Sequence, residues 1–447
     1  MFDLKINRPL QKILLAATLT MVSAFAAPAF ATDSVVLTFS SVGDSRQDPT
    51  GPDGSTYQAA YLNQGNCAIP TGTGSNPNPG LTGQDCKWLQ NTKAITKIMR
   101  TIQSQKANLL FFNGDMVMGY GKAGVPVTAR TTTGTGETAI ANPLVSDIVA
   151  SDLMQFYQQY GFWRGMVATL METGTYVVPV PGNHEVQCKR CGKKAQIENE
   201  TAWKDNMGDL ILDQTRLNNL LPANAGTLAN WNVNNAPAIN YVGMTGYDST
   251  KDIITTNQSQ LSYSFDIGKN HFVVINTDPV GKDSHAPTAW LSNDLATAKT
   301  NGATHFFVFG HKPAYYYSYT GSAPSSSSSL NLADSVAANA FWTVINNYNA
   351  TYFSGHEHIY NVTQPSGTGT SYQVIVGAGG SPFEDFESTP VASPQVAPTS
   401  SLATDRLYSW ATVSIYQSGK VVMNTYGFDE TMAKPVQQLG SFTLATQ

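Results

Sequence analysis

Charge is what this chain has least of. Only 13% of its 447 residues are Asp, Glu, Lys or Arg, and acids outnumber bases, 31 to 26, for a formal net charge of −5. Without a basic excess the chain lacks the long-range attraction on which nucleic-acid binding rests. Cysteine is scarce as well: Cys67, Cys86, Cys188 and Cys191 are all there are. No second CxxC and no thioredoxin-like βαβ pattern accompanies Cys188 and Cys191, so a redox or zinc motif is a weaker reading of that spacing than a structural bridge. Beyond Ala31 no run is long and apolar enough to cross a bilayer. The chain is nevertheless 41% hydrophobic, too apolar for disorder and sufficient for a sizeable core.

At the N-terminus, Lys5, Arg8 and Lys12 precede an apolar run from Ile13 to Ala26, and Ala29-Phe30-Ala31 follows. This order predicts a cleavable export signal over residues 1–31, with residues 32–447 as one domain carrying insertions. No cysteine lies beside the cut to take a lipid, so the expectation is a periplasmic or secreted protein without a stable membrane anchor. In an oxidising compartment an even cysteine count predicts two disulfides with three possible pairings, of which Cys67–Cys86 together with Cys188–Cys191 is the favoured one.

Short apolar runs ending in Gly, Asp or His alternate with amphipathic stretches, an α/β layout. Val35–Val42, Leu109–Asn113, Tyr176–Val180, Phe272–Asn276, His305–Phe309, Thr351–Ser354 and Tyr372–Gly377 read as strands. Trp88–Gln105, Asp152–Glu172, Ala289–Thr300 and Ala333–Asn347 read as helices. Trp410–Gln417 and Lys420–Tyr426 read as a hairpin turning at Ser418-Gly419. The polar segments Gln47–Gln84, Gly121–Asn142 and Ser325–Ser329 read as surface loops. Residues 186–262 hold enough Leu and Trp to predict a folded cap.

Five of these strand ends finish in metal-ligand residue types: Gly43-Asp44, Gly114-Asp115, Gly182-Asn183-His184-Glu185, Gly310-His311 and Gly355-His356-Glu357-His358. A single Gly-Asp is ordinary turn chemistry. Five in order are not. Ligands at strand carboxyl ends converge on one crevice, and Asp and Asn oxygens mixed with imidazoles suit two first-row ions sharing a carboxylate.

The ordered set GD, GD, GNH(D/E), GH and GHxH resembles the calcineurin-like metallophosphoesterase superfamily, nearest in motif style to purple acid phosphatases, over about residues 35–380. The resemblance implies two mixed β-sheets sandwiched and flanked by helices. It also implies two metal ions (Fe, Zn or Mn), with Asp44, Asp115 and His358 on the first and Asp115, Asn183, His311 and His356 on the second. His184 resembles the histidine that contacts phosphate and protonates the leaving oxygen, with Glu185 orienting it. The implied reaction is hydrolysis of a small phosphate monoester. A phosphodiesterase or nucleotidase on the same core is the alternative, and a non-catalytic binding protein the rival from another class.

Two departures stand out. Arg46 occupies the position of a metal-binding histidine in the common GDxH, and Met118 stands where the coloured phosphatases have tyrosine. Arginine cannot ligate, so the first site lacks one expected ligand. For Arg46 two readings stay open, a contact to substrate phosphate or a salt bridge under the loop. His271, His285 and His305 read as structural or surface residues. Glu357 reads as turned away from the metals, solvated or behind the ligands, and Tyr315-Tyr316-Tyr317 as pocket wall or loop packing.

Overall fold

The structure is a computed structural model. It describes residues 33–46, 83–119, 121–124, 128–130, 137–241, 252–319, 327–365, 370–381, 383–386, 407–429, 432 and 434–446. The export signal and the Cys67–Cys86 pairing lie outside the described residues.

Two mixed sheets make up the frame. In the six-stranded sheet the order is Gln437–Ala445, Val421–Asp429, Leu407–Tyr416, Val35–Val42, Leu109–Asn113 and Tyr176–Val180. The last three run parallel, and Val35–Val42 pairs antiparallel with Leu407–Tyr416. In the seven-stranded sheet the order is Tyr360–Thr363, Gln373–Val376, Thr351–Ser354, His305–Phe309, Asn270–Val274, Tyr263–Ile267 and Leu228–Ala229. Its four strands from Gln373–Val376 to Asn270–Val274 are parallel. Parallel strands covered on both faces have no polar side to show, which is why Leu109–Asn113 and Tyr176–Val180 are buried at every position.

The sheets face each other through phenylalanine. Phe39 packs edge-on against Phe307 at 4.9 Å and Phe272 at 5.5 Å, and Phe111 stacks on Phe309 at 3.7 Å. Helices cover the outer faces. Trp163, from Asp152–Glu172, meets Phe112 of the first sheet at 5.1 Å. Trp290 and Leu291, from Thr288–Thr300, and Phe341 and Trp342, from Ser335–Asn347, join Val273, Phe306 and Val308 of the second. The Asp152 helix starts where Ser151 Oγ accepts the Met154 amide at 3.3 Å, and it stops where Gly174 takes a φ of 95°.

The strand at Phe272 begins two residues earlier than the apolar run suggests. Asn270 and His271 pair with Ile267 and Asp266 across a hairpin turning at Gly268-Lys269. That hairpin also adds the Tyr263 strand, and Tyr360–Thr363 and Gln437–Ala445 are further strands. Within 186–262, the helix Ile197–Leu212 buries Trp203, Met207, Leu210 and Ile211 in the same cluster as the first sheet.

His271 lies buried between two carboxylates, its Nδ1 2.6 Å from Asp266 Oδ1 and its Nε2 3.0 Å from Asp294 Oδ2. Asn230 donates to Asp266, and Ser264 and Asn235 donate to Asp294. Burial alone would push the imidazole down, but the hydrogen bonds and charges of Asp266 and Asp294 outweigh it and lift it to about 9. A histidine raised on folding stabilises the fold fully below about 6.5 and loses that contribution as pH rises through about 9. Urea unfolding at pH 6 and pH 10 should show wild type losing on the order of 3 kcal/mol more than His271→Asn over that interval. Identical pH slopes in the two proteins would contradict the charged pairing.

Candidate metal centre

All the candidate ligands lie at or just beyond strand ends, and backbone bonds tie their loops together. Asp44 N–H donates to Gly114 O at 3.0 Å, Ser45 N–H to Asp115 O at 3.1 Å, and Gly355 N–H to His311 O at 2.9 Å. Asp44, Asp115 and His356 take positive φ values of 60°, 54° and 69°, a region that side chains enter only where the surroundings impose it. The preceding glycines make room. A Cβ on Gly114 would lie 2.6 Å from both Gly182 Cα and His311 Nδ1, and one on Gly355 would collide with the Asp44 carboxylate.

One donor set gathers Asn183, His311, His356 and Asp115. Asn183 Oδ1 is 2.8 Å from His311 Nε2 and 3.1 Å from His356 Nδ1, and those two nitrogens are 3.2 Å apart. His311 Nε2 is also 3.1 Å from Asp115 Oδ1. The tautomers are set from behind: His311 Nδ1 donates to the Asn113 carbonyl at 2.7 Å and His356 Nε2 to the Ser327 carbonyl at 3.1 Å. A carbonyl only accepts, so both inward nitrogens present lone pairs. Burial, then the neighbouring His311, holds His356 well below its usual range and neutral. Lone pairs and carboxylate facing one another repel unless a cation lies among them. Donors about 2.1 Å from one ion in an octahedral shell stand about 3 Å apart, so these residues fit a first-row ion. With its amide turned the other way, Asn183 would donate to both imidazoles and offer its oxygen to Lys189, an arrangement suited to a cation-free site.

The second donor set, Asp44, Asp115 and His358, also brings its atoms together, all within 4.8 Å of one another. Asp44 Oδ1 is buried without a hydrogen-bond partner among the described residues, 3.5 Å from His358 Nε2. Burial, and next the charge of Asp115, raises the Asp44 carboxyl well above its usual range. Asp115 belongs to both sets. Arg46 lies in the second, its Nη1 2.6 Å from His358 Nε2 and 3.9 Å from Asp115 Oδ2. A guanidinium only donates. It therefore takes the lone pair that His358 would offer an ion, and this set fits an ion only in competition with Arg46.

His184 stands beside them in the turn Asn183–Val186, its Nδ1 bonded to the Met118 carbonyl and its Nε2 3.8 Å from Asp115 Oδ2. Burial, then the Lys189 charge, pushes it well below its usual range. Glu185 does not reach that ring: its oxygens accept the backbone amides of Gly182, Asp115, Met116 and Val117 at 2.7–3.0 Å. The Met118 carbonyl holds the ring instead. Glu357 is buried, not solvated, and accepts the Tyr317 amide. Tyr315 packs on Trp342 and Tyr317 is 2% exposed, so that run is loop packing. The site also contains Lys189, a residue without a motif. It is half-buried, its Nζ 3.2 Å from Gln187 Oε1 and against the Asn183 amide. Burial lowers it to about 7, with Lys312 and Arg46 adding and Asp115 opposing.

A model of the calcineurin-like phosphoesterase family matches residues 88–360. The chain belongs to that family. The matched span contains every candidate ligand except Asp44. Solved structures similar to the chain include a purple acid phosphatase from yellow lupin (Lupinus luteus) seeds, at 12% identity and a TM-score of 0.48, covering 92% of this chain and 54% of that one. The chain thus spans about half the length of the lupin enzyme. Others are the anchor in the inner membrane complex of Plasmodium (13%, 0.41, covering 91% and 89%) and a dimetal phosphatase from Danio rerio (10%, 0.38, covering 91% and 99%). No curated protein matches.

Calorimetric titration with Mn²⁺ should show one tight equivalent and one weaker. Arg46→Ala should tighten the weaker one about tenfold, the scale of one charge-assisted hydrogen bond. An unchanged second equivalent would mean that Arg46 does not compete for the His358 lone pair.

Proposed function

We propose that this phosphoesterase is an exported phosphomonoesterase acting on small phosphate esters with two metal ions, iron, zinc or manganese. The observation that carries the reading is the pair of donor sets sharing Asp115. Asn183, His311 and His356 complete one set, and Asp44 and His358 the other. When bound, such an ion pair supplies a hydroxide from water near neutral pH and neutralises phosphate oxygens. The chain's own residues do the rest. Arg46 offers a fork of donors suited to a phosphate group, and Glu185 holds the Asp115 loop against the His184 turn. His184 has its Nδ1 proton engaged by Met118, so Nε2 is the atom that exchanges a proton with a leaving oxygen. Its ring is neutral in the free protein, and a phosphate dianion beside Nε2 raises its proton affinity. Export is supported by the N-terminal pattern and by a bridged Cys188–Cys191 pair, which suits an oxidising compartment. Among the described residues no helix is long and apolar enough to cross a membrane.

The purified chain should hydrolyse nitrophenyl phosphate with a higher kcat/KM than bis-nitrophenyl phosphate, and chelation should abolish both activities. Activity persisting after complete metal removal, checked by elemental analysis, would overturn the metal mechanism. A preference for the diester would favour the phosphodiesterase alternative.

His184→Ala should lower kcat/KM on an alkyl phosphate by about 10²- to 10⁴-fold and on nitrophenyl phosphate by less than about tenfold, because only an alkoxide needs its proton. Equal losses on both substrates would reject the acid role.

A further inference from the structure

We propose that Lys189 is a phosphate-binding residue of this site, held over it by the Cys188–Cys191 bridge, and that it favours doubly charged phosphate groups. The proposal rests on the phosphomonoesterase reading and names a specificity determinant within it. Lys189 is the first residue of a short 3₁₀ turn, Lys189–Cys191, closed by that disulfide. The turn caps a small hairpin in which Gln187 pairs with Ala195 and Cys188 with Lys194. The hairpin is fastened to the body of the site. Gln187 Nε2 donates to Asp278 Oδ1 at 3.0 Å, Ala195 N–H donates to Asp283 Oδ1 at 3.0 Å, and Asp278 is paired with buried Lys312 at 2.6 Å, next in chain to His311.

An ammonium has three protons to place. Gln187 Oε1 takes one at 3.2 Å. The other neighbour is the outer amide atom of Asn183. When the Asn183 oxygen points inward among the imidazoles, that outer atom is an NH₂ group, which cannot accept. With an ion in the Asn183 set, the remaining Lys189 protons are left to a ligand, and Lys189, like Arg46 and His356, is only half-buried. Arg46 and Lys189 thus approach from opposite donor sets, the former against His358 and the latter against Asn183. Two cationic side chains, one beside each donor set, complement a phosphate dianion better than a diester monoanion.

The test is calorimetry of inorganic phosphate binding to the metal-loaded full chain. Lys189→Met should weaken phosphate binding by about 10- to 100-fold, the loss of one charged contact, and raise the KM for nitrophenyl phosphate in parallel. The KM for bis-nitrophenyl phosphate should change less than about threefold, metal content should stay as in wild type, and Lys189→Arg should restore most of the affinity. Undiminished phosphate binding in Lys189→Met would overturn the proposal. So would loss of metal, because Lys189 would then serve only to position Asn183. The Cys188→Ser/Cys191→Ser double variant, folded by circular dichroism and metal-replete, should show the same weakening, and wild-type phosphate affinity in it would remove the bridge from the argument. Phosphate binding that depends on Lys189 in a protein that turns over no ester would sink the enzymatic reading and leave the binding site standing.

Discussion

Two imidazole lone pairs, an amide oxygen and a carboxylate oxygen are held facing one another, with neighbouring atoms 2.8–3.3 Å apart. Like polarity at that range pushes the groups apart, so the surrounding structure must hold them by other means. Part of the holding is done by tautomer: the Asn113 and Ser327 carbonyls bind the outer nitrogens of His311 and His356. Part is done by backbone, since Asp44, Asp115 and His356 all sit in left-handed conformations worth roughly 1–3 kcal/mol each in strain. The phenylalanine layer between the sheets provides the stability against which that strain is set. Strained ligand loops on a rigid aromatic sandwich are what a preorganised ion site requires.

Glu185 shows how closely the ligand loops depend on one another. It is a buried carboxylate that accepts four backbone amides belonging to two different loops. Burial, then the charge of Asp115, raises it to about 7, with the amide bonds opposing. These bonds are all to main-chain amides, and they fasten the Asp115 loop to the turn that carries His184.

Most of the frame was legible because parallel strands buried on both faces are unbroken apolar runs, as at Leu109–Asn113 and His305–Phe309, where the ends read from the sequence are the ends in the structure. Five of the six candidate ligands, all but His358, were legible because each directly follows a glycine at which a Cβ would crowd or collide with its neighbours. What escaped has physical reasons. Gln437–Ala445 is an edge strand whose pattern alternates weakly with Gln, Gly and Ser, and Tyr263–Ile267 is short and abuts a long polar segment. Its turn, Gly268-Lys269, was the signal available. The orienting role expected of Glu185 passed to a main-chain carbonyl, which has no identity in a sequence. Lys189 carries no signal at all. Its place depends on a disulfide turn and on Asp278, some ninety positions away in the chain.

The strand that delivers Asp44 is completed by chain made at the far end. Ser40 and Thr412 share a hydrogen bond across 372 positions, and Val35–Val42 has Leu407–Tyr416 as one of its two neighbours. Closing so long a span carries an entropic cost that local contacts cannot offset early in folding. The second sheet, drawn entirely from residues 228–376, can assemble before that closure, whereas the first cannot. His311, His356 and His358 follow strands of that second sheet, whereas Asp44, Asp115 and Asn183 follow strands of the first. Each donor set therefore takes residues from both sheets and shares Asp115 with the other, so neither is complete until the two sheets have met.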